Sequence, residues 1–320
     1  MAEPRYAAAA GAHGVRVSLT RTPSTRSRLE GAIRTGLVAA AALSVVTTLL
    51  IAGSLIFETI EFFGEVPVGD YLFGTRWAPT FAEGQQSFGV LPLVWGTVYV
   101  SLIALAVAIP LGLLCAVYLS EYADARVRKV VKPVLEVLAG VPTIVFGYFA
   151  LTFFTPEILR GVLGIEVNIF NALSAGIVMG LLVLPTIASV AEDAMSAVPG
   201  SLREGAFGLG ASKLQVSLRI VFPAALSGIV AALILGASRA VGETVLVLVA
   251  GGQIASTSLD PTESHQTMAA FVAALARGDI STGSIEYRTI FAVGFTLLVL
   301  TLILNIASIR LVRRYRQVYE

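Results

Sequence analysis

The chain has 320 residues, of which 56% are hydrophobic and only 13% are charged, and its mean hydropathy is +0.83. Because soluble domains carry about a quarter charged residues, this composition excludes a soluble globular protein and indicates a polytopic membrane protein. One cysteine, Cys115, and two distant histidines, His13 and His265, exclude an intrachain disulfide and a metal cluster of these residue types, so we expect no metal site. The formal net charge of +1 carries no information about partners.

The first 33 residues form an arm that is rich in Ala, Ser, Thr and Arg. From this composition we expect a cytoplasmic arm, residues 1–33, that is disordered near the membrane surface. An alternative interpretation makes the first apolar segment a cleavable signal peptide, since the small residues IAGS at 51–54 lie near its end. We favour a membrane span, because the apolar stretch exceeds the usual h-region of about 7–15 residues and the arm is too long for an n-region.

Six segments are apolar and long enough to cross a hydrocarbon core of about 30 Å, which takes about 20 helical residues each. Their predicted limits are 34–57, 91–119, 133–155, 170–191, 223–250 and 288–309. The sequence therefore predicts an all-α membrane protein, with a six-helix transmembrane domain that covers residues 34–320.

Basic residues are concentrated on one side of these spans. Most of the 22 lysines and arginines fall in the arm, in the tail and in loops two and four. Those in the two loops are Arg126, Arg128, Lys129, Lys132, Arg203, Lys213 and Arg219. The opposite side holds Arg76, Arg160, Arg277 and Arg288. Because positively charged loops remain in the cytoplasm, we expect both termini to be cytoplasmic and loops one and five to be external.

The first external loop, residues 58–90, is acidic. It holds a single basic residue against Glu58, Glu61, Glu65, Asp70 and Glu83. Trp77 in this loop and Trp95 just after it are expected at the level of the lipid headgroups, where amphipathic rings prefer to lie.

Each of the predicted spans two to five contains a proline; these are Pro110, Pro142, Pro185 and Pro223. Proline frees a backbone carbonyl and kinks a membrane helix, which is tolerated where neighbouring helices or water satisfy the freed group. Kinked helices that line a pathway and kinks that only accommodate packing explain these prolines equally well.

Loop four reads EDAMSAVPGSLREGAFGLGASKLQVSLRIVFPAAL over residues 192–226, and it is more apolar than a solvated loop. Ala206, Phe207, Leu209 and Leu214, interleaved with glycines, predict a short amphipathic helix that docks against another protein surface.

The spacing within this loop is specific. Glu204-Gly205-Ala206 is followed after three residues by Gly210, after nine more by Ile220, and after one more by Phe222-Pro223. This pattern resembles the EAA signature of ABC importer permeases, from which it departs at Gly205 and Phe222. In that family the segment, here about residues 195–223, is the coupling helix that docks on the ATPase. The resemblance implies that the ATPase-coupling residues are Glu204, Gly205, Ala206, Phe207, Gly210, Ile220 and Pro223.

The chain contains no nucleotide-binding loop of its own. A P-loop requires Gly-x4-Gly-Lys-[Ser/Thr], and none of the three lysines follows a glycine. We therefore expect a permease without enzymatic activity or a cofactor, and ATP and Mg²⁺ bound by a partner ATPase.

Strings over residues 70–320 resemble the PstC family of permease subunits of bacterial phosphate ABC importers. They include FGTRWAP, FGVLPLVWGT, IPLGLLCAVYLSEYA, GVPTIVFGYFALTFFTP, SRAVGET and GDISTGSIEYRTIFAVGFTLLVLTLILN. The resemblance implies a type I ABC importer of MetI-like permease fold in the bacterial inner membrane. It implies a PstA-like permease chain, two PstB-like ATPase subunits and a PstS-like phosphate-binding protein as partners. The sister PstA family shares the EAA loop, GVP and R-x-x-G-E-T, and remains an alternative.

SRAVGET places Arg239 and Glu243 inside the fifth apolar segment, where an unpaired arginine costs about 2.5–3.5 kcal/mol on insertion scales. A continuous helix puts Arg239 about 24 Å beyond Pro223 and Glu243 one turn further on the same face. Gly242 between them leaves room for close approach. The two residues form either a structural ion pair or a site in which the guanidinium fork binds phosphate. The resemblance favours the second interpretation, with Arg239, Gly242, Glu243 and Thr244 as substrate-pathway residues.

A second class of function is an ion-coupled secondary transporter or channel for an anion, in which Arg239 and Glu243 form a proton relay. The EAA spacing favours the ABC permease, because a secondary carrier has no use for an apolar coupling loop.

Overall fold

The structure is a computed structural model that describes residues 25–82, 84–278 and 280–315. The predicted disorder of residues 1–24 lies outside the described residues, as does the acidic residue Glu83. The described chain is mainly helical. Its helices are α1 Thr25–Glu65, α2 Val68–Phe73, α3 Leu91–Val117, α4 Ala125–Ala139, α5 Thr143–Phe149, α6 Ala172–Ser196, α7 Gly200–Gly208, α8 Lys213–Val216, α9 Phe222–Ala224, α10 Leu226–Gly242, α11 Val245–Ala250, α12 Met268–Leu275 and α13 Ile285–Tyr315.

Three π-helical segments continue some of these helices. They are Tyr118–Tyr122 after α3, Ala150–Val162 after α5, and Ser217–Val221 between α8 and α9. Two short strands, β1 Trp77–Ala78 and β2 Ser87–Phe88, form an antiparallel pair with Trp77 opposite Phe88.

The chain divides into two compact units, and the first ends at Ser54. In the described part of this unit, α1 exposes its apolar side chains, such as Leu37 and Leu49, as suits a helix surrounded by lipid. Helix α1 begins at Thr25, so residues 25–33, which we assigned to the arm, are helical. The remainder of α1, from Leu55, belongs to the second unit.

Among the described residues, four helices are straight, long and apolar enough to span a membrane: Leu29–Glu65, Leu91–Tyr122, Ala172–Ser196 and Ile285–Arg310. Two bent helix pairs are further candidate spans. Residues 125–139 and 143–162 meet at 87°, and residues 213–224 and 226–242 meet at 72°. With each pair counted as one span, the total is the predicted six. The predicted fifth span at 223–250 is wrong in its limits, because α10 ends at Gly242 and α11 is a separate helix.

Both bends begin at prolines that the sequence contains. Pro142 is the N-cap of α5, and Pro223 lies in α9 just before the second bend. Pro110 and Pro185 lie inside α3 and α6. Proline thus acts differently at these sites, since two of the four lie beside a bend between helices and two are accommodated within a helix.

Helix α6 is the most buried of the candidate spans and packs along α3 and α10. Small residues bring the backbones together, as is common where helices associate in lipid. A Cβ at Gly180 would lie 2.8 Å from the carbonyl oxygen of Ala104 on α3. A Cβ at Gly236 on α10 would lie 2.7 Å from Ile187 on α6. Close packing therefore holds α6 against α10, the helix that carries Arg239.

An aromatic cluster in the second unit brings together residues of α1, α2, β1 and α12. Trp77 is buried there and packs edge-to-face on Phe271 of α12 and on Tyr71 of α2, with ring centroids 5.0 and 6.3 Å apart. Burial of the Tyr71 phenol raises its pKa above the usual value. The prediction that Trp77 lies among lipid headgroups is therefore wrong, because its ring contacts protein on several sides.

Trp95 contacts the loop between α11 and α12. Its ring stacks on Tyr99 with centroids 5.5 Å apart, and its Nε1 donates to the carbonyl oxygen of Ser258 at 2.9 Å. The buried ring of His265 packs on Tyr99 and contacts the same carbonyl through Nε2 at 2.9 Å. Trp95 thus fixes a loop of the protein, a role that the sequence did not indicate.

Candidate functional site

Two helix breaks lie side by side at the predicted pathway residues. The first, Gly140–Pro142, separates α4 from α5, and the second, Glu243–Thr244, separates α10 from α11. Helix α11 packs against α5, where a Cβ at Gly147 would lie 3.1 Å from the Cα of Leu246. Discontinuous helices leave backbone groups and helix ends available to a solute within the membrane.

Arg239 connects the two breaks. Its Nη2 donates to the carbonyl oxygen of Ala139 at 3.2 Å, and its Nη1 donates to Thr186 Oγ1 on α6 at 2.8 Å. Ala139 is the last residue of α4, so the guanidinium lies where unpaired carbonyls give the helix terminus a negative partial charge. The side chain is half-buried, and only two of its five N–H groups are used in these contacts. Neutral oxygens therefore hold Arg239, and donors remain for an anion.

Glu243 does not continue α10. Its backbone is extended, with φ −65° and ψ 127°, and its Oε1 accepts a hydrogen bond from the Leu246 backbone N–H at 3.2 Å. The predicted one-turn spacing on a shared helix face is therefore wrong. In the described part of the chain, no ion pair joins Glu243 to Arg239. The carboxylate instead caps the start of α11, and the contact required by the alternative proton relay is not formed.

Gly242 and Thr244 flank this glutamate. Gly242 is exposed, and a Cβ built on it meets no atom within 4 Å. The predicted close approach at Gly242 is therefore not made by this chain, which leaves open space beside the break. Thr244 is the N-cap of α11, and its hydroxyl donates to the Gly242 carbonyl oxygen at 3.1 Å. The break thus places a hydroxyl and a buried carboxylate four to five residues from the arginine.

The EAA segment forms a helix, a turn and a second helix. Helix α7 ends at Gly208, and Gly210 has a φ of +82°, in the left-handed region that favours glycine. Ser212 then caps α8 in a capping box, with the Ser212 N–H donating to Gln215 Oε1 at 2.8 Å. The expected amphipathic helix is thus interrupted, and Gly210 forms the turn.

The EAA segment divides its residues between the core and the exterior. Ala206 is buried and Ile220 packs against the same cluster, which contains Met195 and Val216. The exposed residues are Glu204, Gly205, Phe207, Gly210, Leu214 and Pro223. Leu209, at the tip of the turn, is 91% exposed. The segment therefore presents apolar side chains and an exposed carboxylate, that of Glu204, away from the core cluster.

The chain matches the model of one protein family over residues 108–317. That family is described as "Binding-protein-dependent transport system inner membrane component". The chain belongs to this family.

Relatives support membership in this inner-membrane component family. The chain is 34% identical to the "Probable ABC transporter permease protein YqgH" of Bacillus subtilis, over 72% of this chain and 74% of that protein. It is 31% identical to the "Phosphate transport system permease protein PstC" of Xylella fastidiosa, over 77% of this chain and 80% of that protein. The PstC of Haemophilus influenzae is 29% identical over 86% of this chain and 89% of its own length.

Solved structures confirm the MetI-like fold. A chain of a bacterial alginate ABC transporter, in complex with an alginate-bound periplasmic protein, matches with a TM-score of 0.63 at 16% identity, over 89% of this chain and 96% of that one. A chain of the inward-facing MetNI methionine ABC transporter matches with a TM-score of 0.53 at 19% identity, over 72% of this chain and 95% of that one. The fold of this family member is thus that of ABC importer permeases.

The described residues form charged contacts that the sequence did not indicate, and two sets of these lie near the C-terminus of α6. Glu192, near the end of α6, is fully buried and is paired with Arg128 and Lys132 of α4. Arg203 of α7 pairs with Glu121 at 3.0 Å. In the sequence, Arg128 and Lys132 indicate only the membrane orientation. Their spacing of four residues on one helix face, with an acidic residue late in an apolar span, was the available signal.

Proposed function

We propose that the chain is the transmembrane permease subunit of an ATP-driven phosphate importer in the bacterial inner membrane, and that it forms half of the translocation pathway. Arg239 carries the proposal. A half-buried guanidinium in a membrane-spanning helix is held by neutral oxygens at the meeting of two helix breaks. Phosphate presents several acceptor oxygens to such a planar fork, and it must lose water to enter the membrane. The named PstC relatives support phosphate as the substrate.

In the proposed mechanism, phosphate replaces neutral hydrogen-bond acceptors on Arg239. Without substrate, the Ala139 carbonyl and the Thr186 hydroxyl occupy two donors of Arg239. An arriving phosphate offers charged acceptors, which form stronger hydrogen bonds than neutral ones. When the pathway opens to the cytoplasm, the neutral acceptors compete for the guanidinium again and favour release.

The proposed assembly contains a PstA-like permease chain, two PstB-like ATPase subunits that bind ATP and Mg²⁺, and a PstS-like binding protein. The exposed apolar turn at Leu209 and the exposed Glu204 supply a docking surface for the ATPase. Co-expression with these partners, purification and reconstitution into liposomes test the proposal. The expected result is phosphate uptake that requires ATP, and a chain that neither binds the ATPase nor supports uptake would contradict it.

Membrane orientation gives a first prediction. In a Cys115→Ala background, Lys129→Cys and Leu209→Cys are expected to react with a membrane-impermeant thiol reagent only after the membrane is opened. Leu259→Cys is expected to react in intact cells, because it lies in the loop after α11. All three positions are exposed, so burial does not limit their labelling. The opposite pattern would reverse the orientation inferred from the positive residues.

Selectivity gives a second prediction, for Glu243→Gln. At neutral pH phosphate still carries a proton and sulfate carries none, so an ionised carboxylate accepts a hydrogen bond from phosphate and repels sulfate. Glutamine removes the repulsion, and its amide oxygen still accepts from the Leu246 N–H that Glu243 caps. We expect the phosphate-to-sulfate preference of ATPase stimulation to fall about tenfold or more, as for a single unpaired or like-charged contact.

The binding protein must be bypassed in this measurement, since its own selectivity would hide that of the pathway. Anions are therefore supplied at high concentration to the reconstituted permease with its ATPase. Thr244→Ser keeps the hydroxyl beside the break and serves as a control. An unchanged preference in Glu243→Gln would show that this glutamate only caps α11.

A further inference from the structure

Glu192 is a fully buried carboxylate near the end of α6. Its Oε2 accepts from Lys132 Nζ at 2.8 Å, and its Oε1 accepts from Ser196 Oγ at 2.8 Å and pairs with Arg128. Arg128 and Lys132 both belong to α4. A buried carboxylate is costly unless it is paired and hydrogen-bonded, so this cluster strongly favours one position of α4 against α6.

Helix α4 has few other attachments. In the described chain, Leu135 is its only buried residue, and its packing is mainly against α6. Its other fixed point is its last residue, whose carbonyl accepts from Arg239. Lys132 and Ala139 are seven residues apart, about 10 Å along one helix. Helix α4 is therefore held at one end by charges and at the other by the proposed anion site.

The EAA segment is attached to the same end of α6. Arg203 of α7 donates to the carbonyl oxygens of Met195 at 2.8 Å and Val198 at 2.6 Å, at the C-terminus of α6. The same guanidinium pairs with Glu121 in the π-helical segment that follows α3. Met195 follows Glu192 by three residues, so the α4 cluster and the Arg203 contacts share one helical turn of α6.

We propose that Glu192 is a positioning residue for coupled transport, and that its pairing with Lys132 and Arg128 makes α4 the lever that links the anion site to the ATPase-docking segment. An anion on Arg239 competes with the Ala139 carbonyl and weakens the attachment of the far end of α4. Because the near end stays paired with Glu192, movement of α4 acts on the last turn of α6 and through Arg203 on α7. Helix α4 is the two-state element, since it has one contact that the anion replaces.

This inference rests on the proposed function, and its test is the ATPase activity of the assembled complex with and without phosphate-loaded binding protein. Glu192→Gln keeps the size of the side chain and removes the charge. We expect the ratio of stimulated to basal ATPase activity to fall at least about fivefold, the lower end of typical coupling between sites, and uptake to fall with it. Phosphate binding to the permease and its partners should persist.

Lys132→Met provides a second variant if Glu192→Gln does not assemble, because Lys132 is partly exposed and Glu192 keeps Arg128 and Ser196. It should lose stimulation, and Lys132→Arg should keep it. Glu136→Gln is the matched control. Glu136 is exposed one turn further along α4 and has no ion pair in the described chain, so its stimulation should stay within about twofold of wild type.

The outcomes separate this inference from the proposed function. A wild-type complex that phosphate neither stimulates nor crosses would contradict the proposed function. A stimulated wild type, with assembled Lys132→Met and Glu192→Gln complexes that show the same ratio, would overturn only the lever. Loss of stimulation in these variants with retention in Lys132→Arg and Glu136→Gln is the expected result.

Discussion

Arg239→Gln is expected to reduce ATP-driven phosphate uptake by the assembled complex at least about 100-fold. The substitution removes the charge and the fork that bind the anion. Each hydrogen bond to a charged group contributes about 1.5–3 kcal/mol, and about 1.4 kcal/mol corresponds to a factor of ten. Folding should persist, because a neutral residue inserts into the membrane more readily than arginine. Uptake of labelled phosphate into proteoliposomes measures the effect.

Two control variants test whether the loss of phosphate uptake comes from the charge and the planar fork of Arg239. Thr186→Val removes one acceptor of Arg239 and leaves its charge, so uptake should change only a few-fold, as for one neutral hydrogen bond. Arg239→Lys keeps the charge without the planar fork, so its phosphate uptake should lie between those of Arg239→Gln and Thr186→Val. The quantity of complex recovered with the ATPase must match wild type in each case. Wild-type uptake by Arg239→Gln would show that the arginine serves only to join the two helix breaks.

The number of membrane-spanning segments was predictable because lipid imposes a length and a polarity on any helix that crosses it. The bends were only partly predictable. Pro142 and Pro223 mark their positions, and identical residue types at Pro110 and Pro185 are accommodated within helices. Whether a proline bends or breaks a helix depends on the packing around it, which no local pattern describes.

The candidate site was also only partly predictable from the sequence. Arg239 was identifiable because a charge in an apolar segment requires compensation. Its partners were not, since Ala139 and Thr186 are distant in sequence and unremarkable in type. The break after Gly242 was hidden inside a continuous apolar run. A glycine followed two residues later by a threonine is a helix-stop and helix-start signal, and it was the available clue to the break.

Tertiary contacts also changed the interpretation of Trp77 and Glu192. A tryptophan among lipid headgroups and a tryptophan in a protein core have the same local sequence, and only the aromatic partners of Trp77 distinguish them. The sequence predicts that Glu192 begins loop four, whereas α6 extends to Ser196 and Glu192 is buried. In both cases the predicted surroundings of the side chain are wrong, because its packing partners come from distant segments of the chain.

The second large effect is expected at the tip of the EAA segment. Leu209→Asp should reduce uptake at least about 100-fold and weaken recovery of the ATPase with the permease, because a charge would enter an apolar contact without a partner. Leu209 is 91% exposed, so the substitution costs this chain little stability. Co-purification of the ATPase and uptake by proteoliposomes measure the two effects.

Leu209→Met is the matched control, since it keeps an apolar side chain of similar volume and should retain uptake within a few-fold. Gly210→Arg would test the same contact less cleanly. With φ at +82°, any side chain at Gly210 strains the turn even though the space around it is open, so a loss of coupling would have two causes. Leu209 has an exposed side chain and no such constraint. Normal ATPase recovery and normal uptake in Leu209→Asp would therefore contradict docking through this turn.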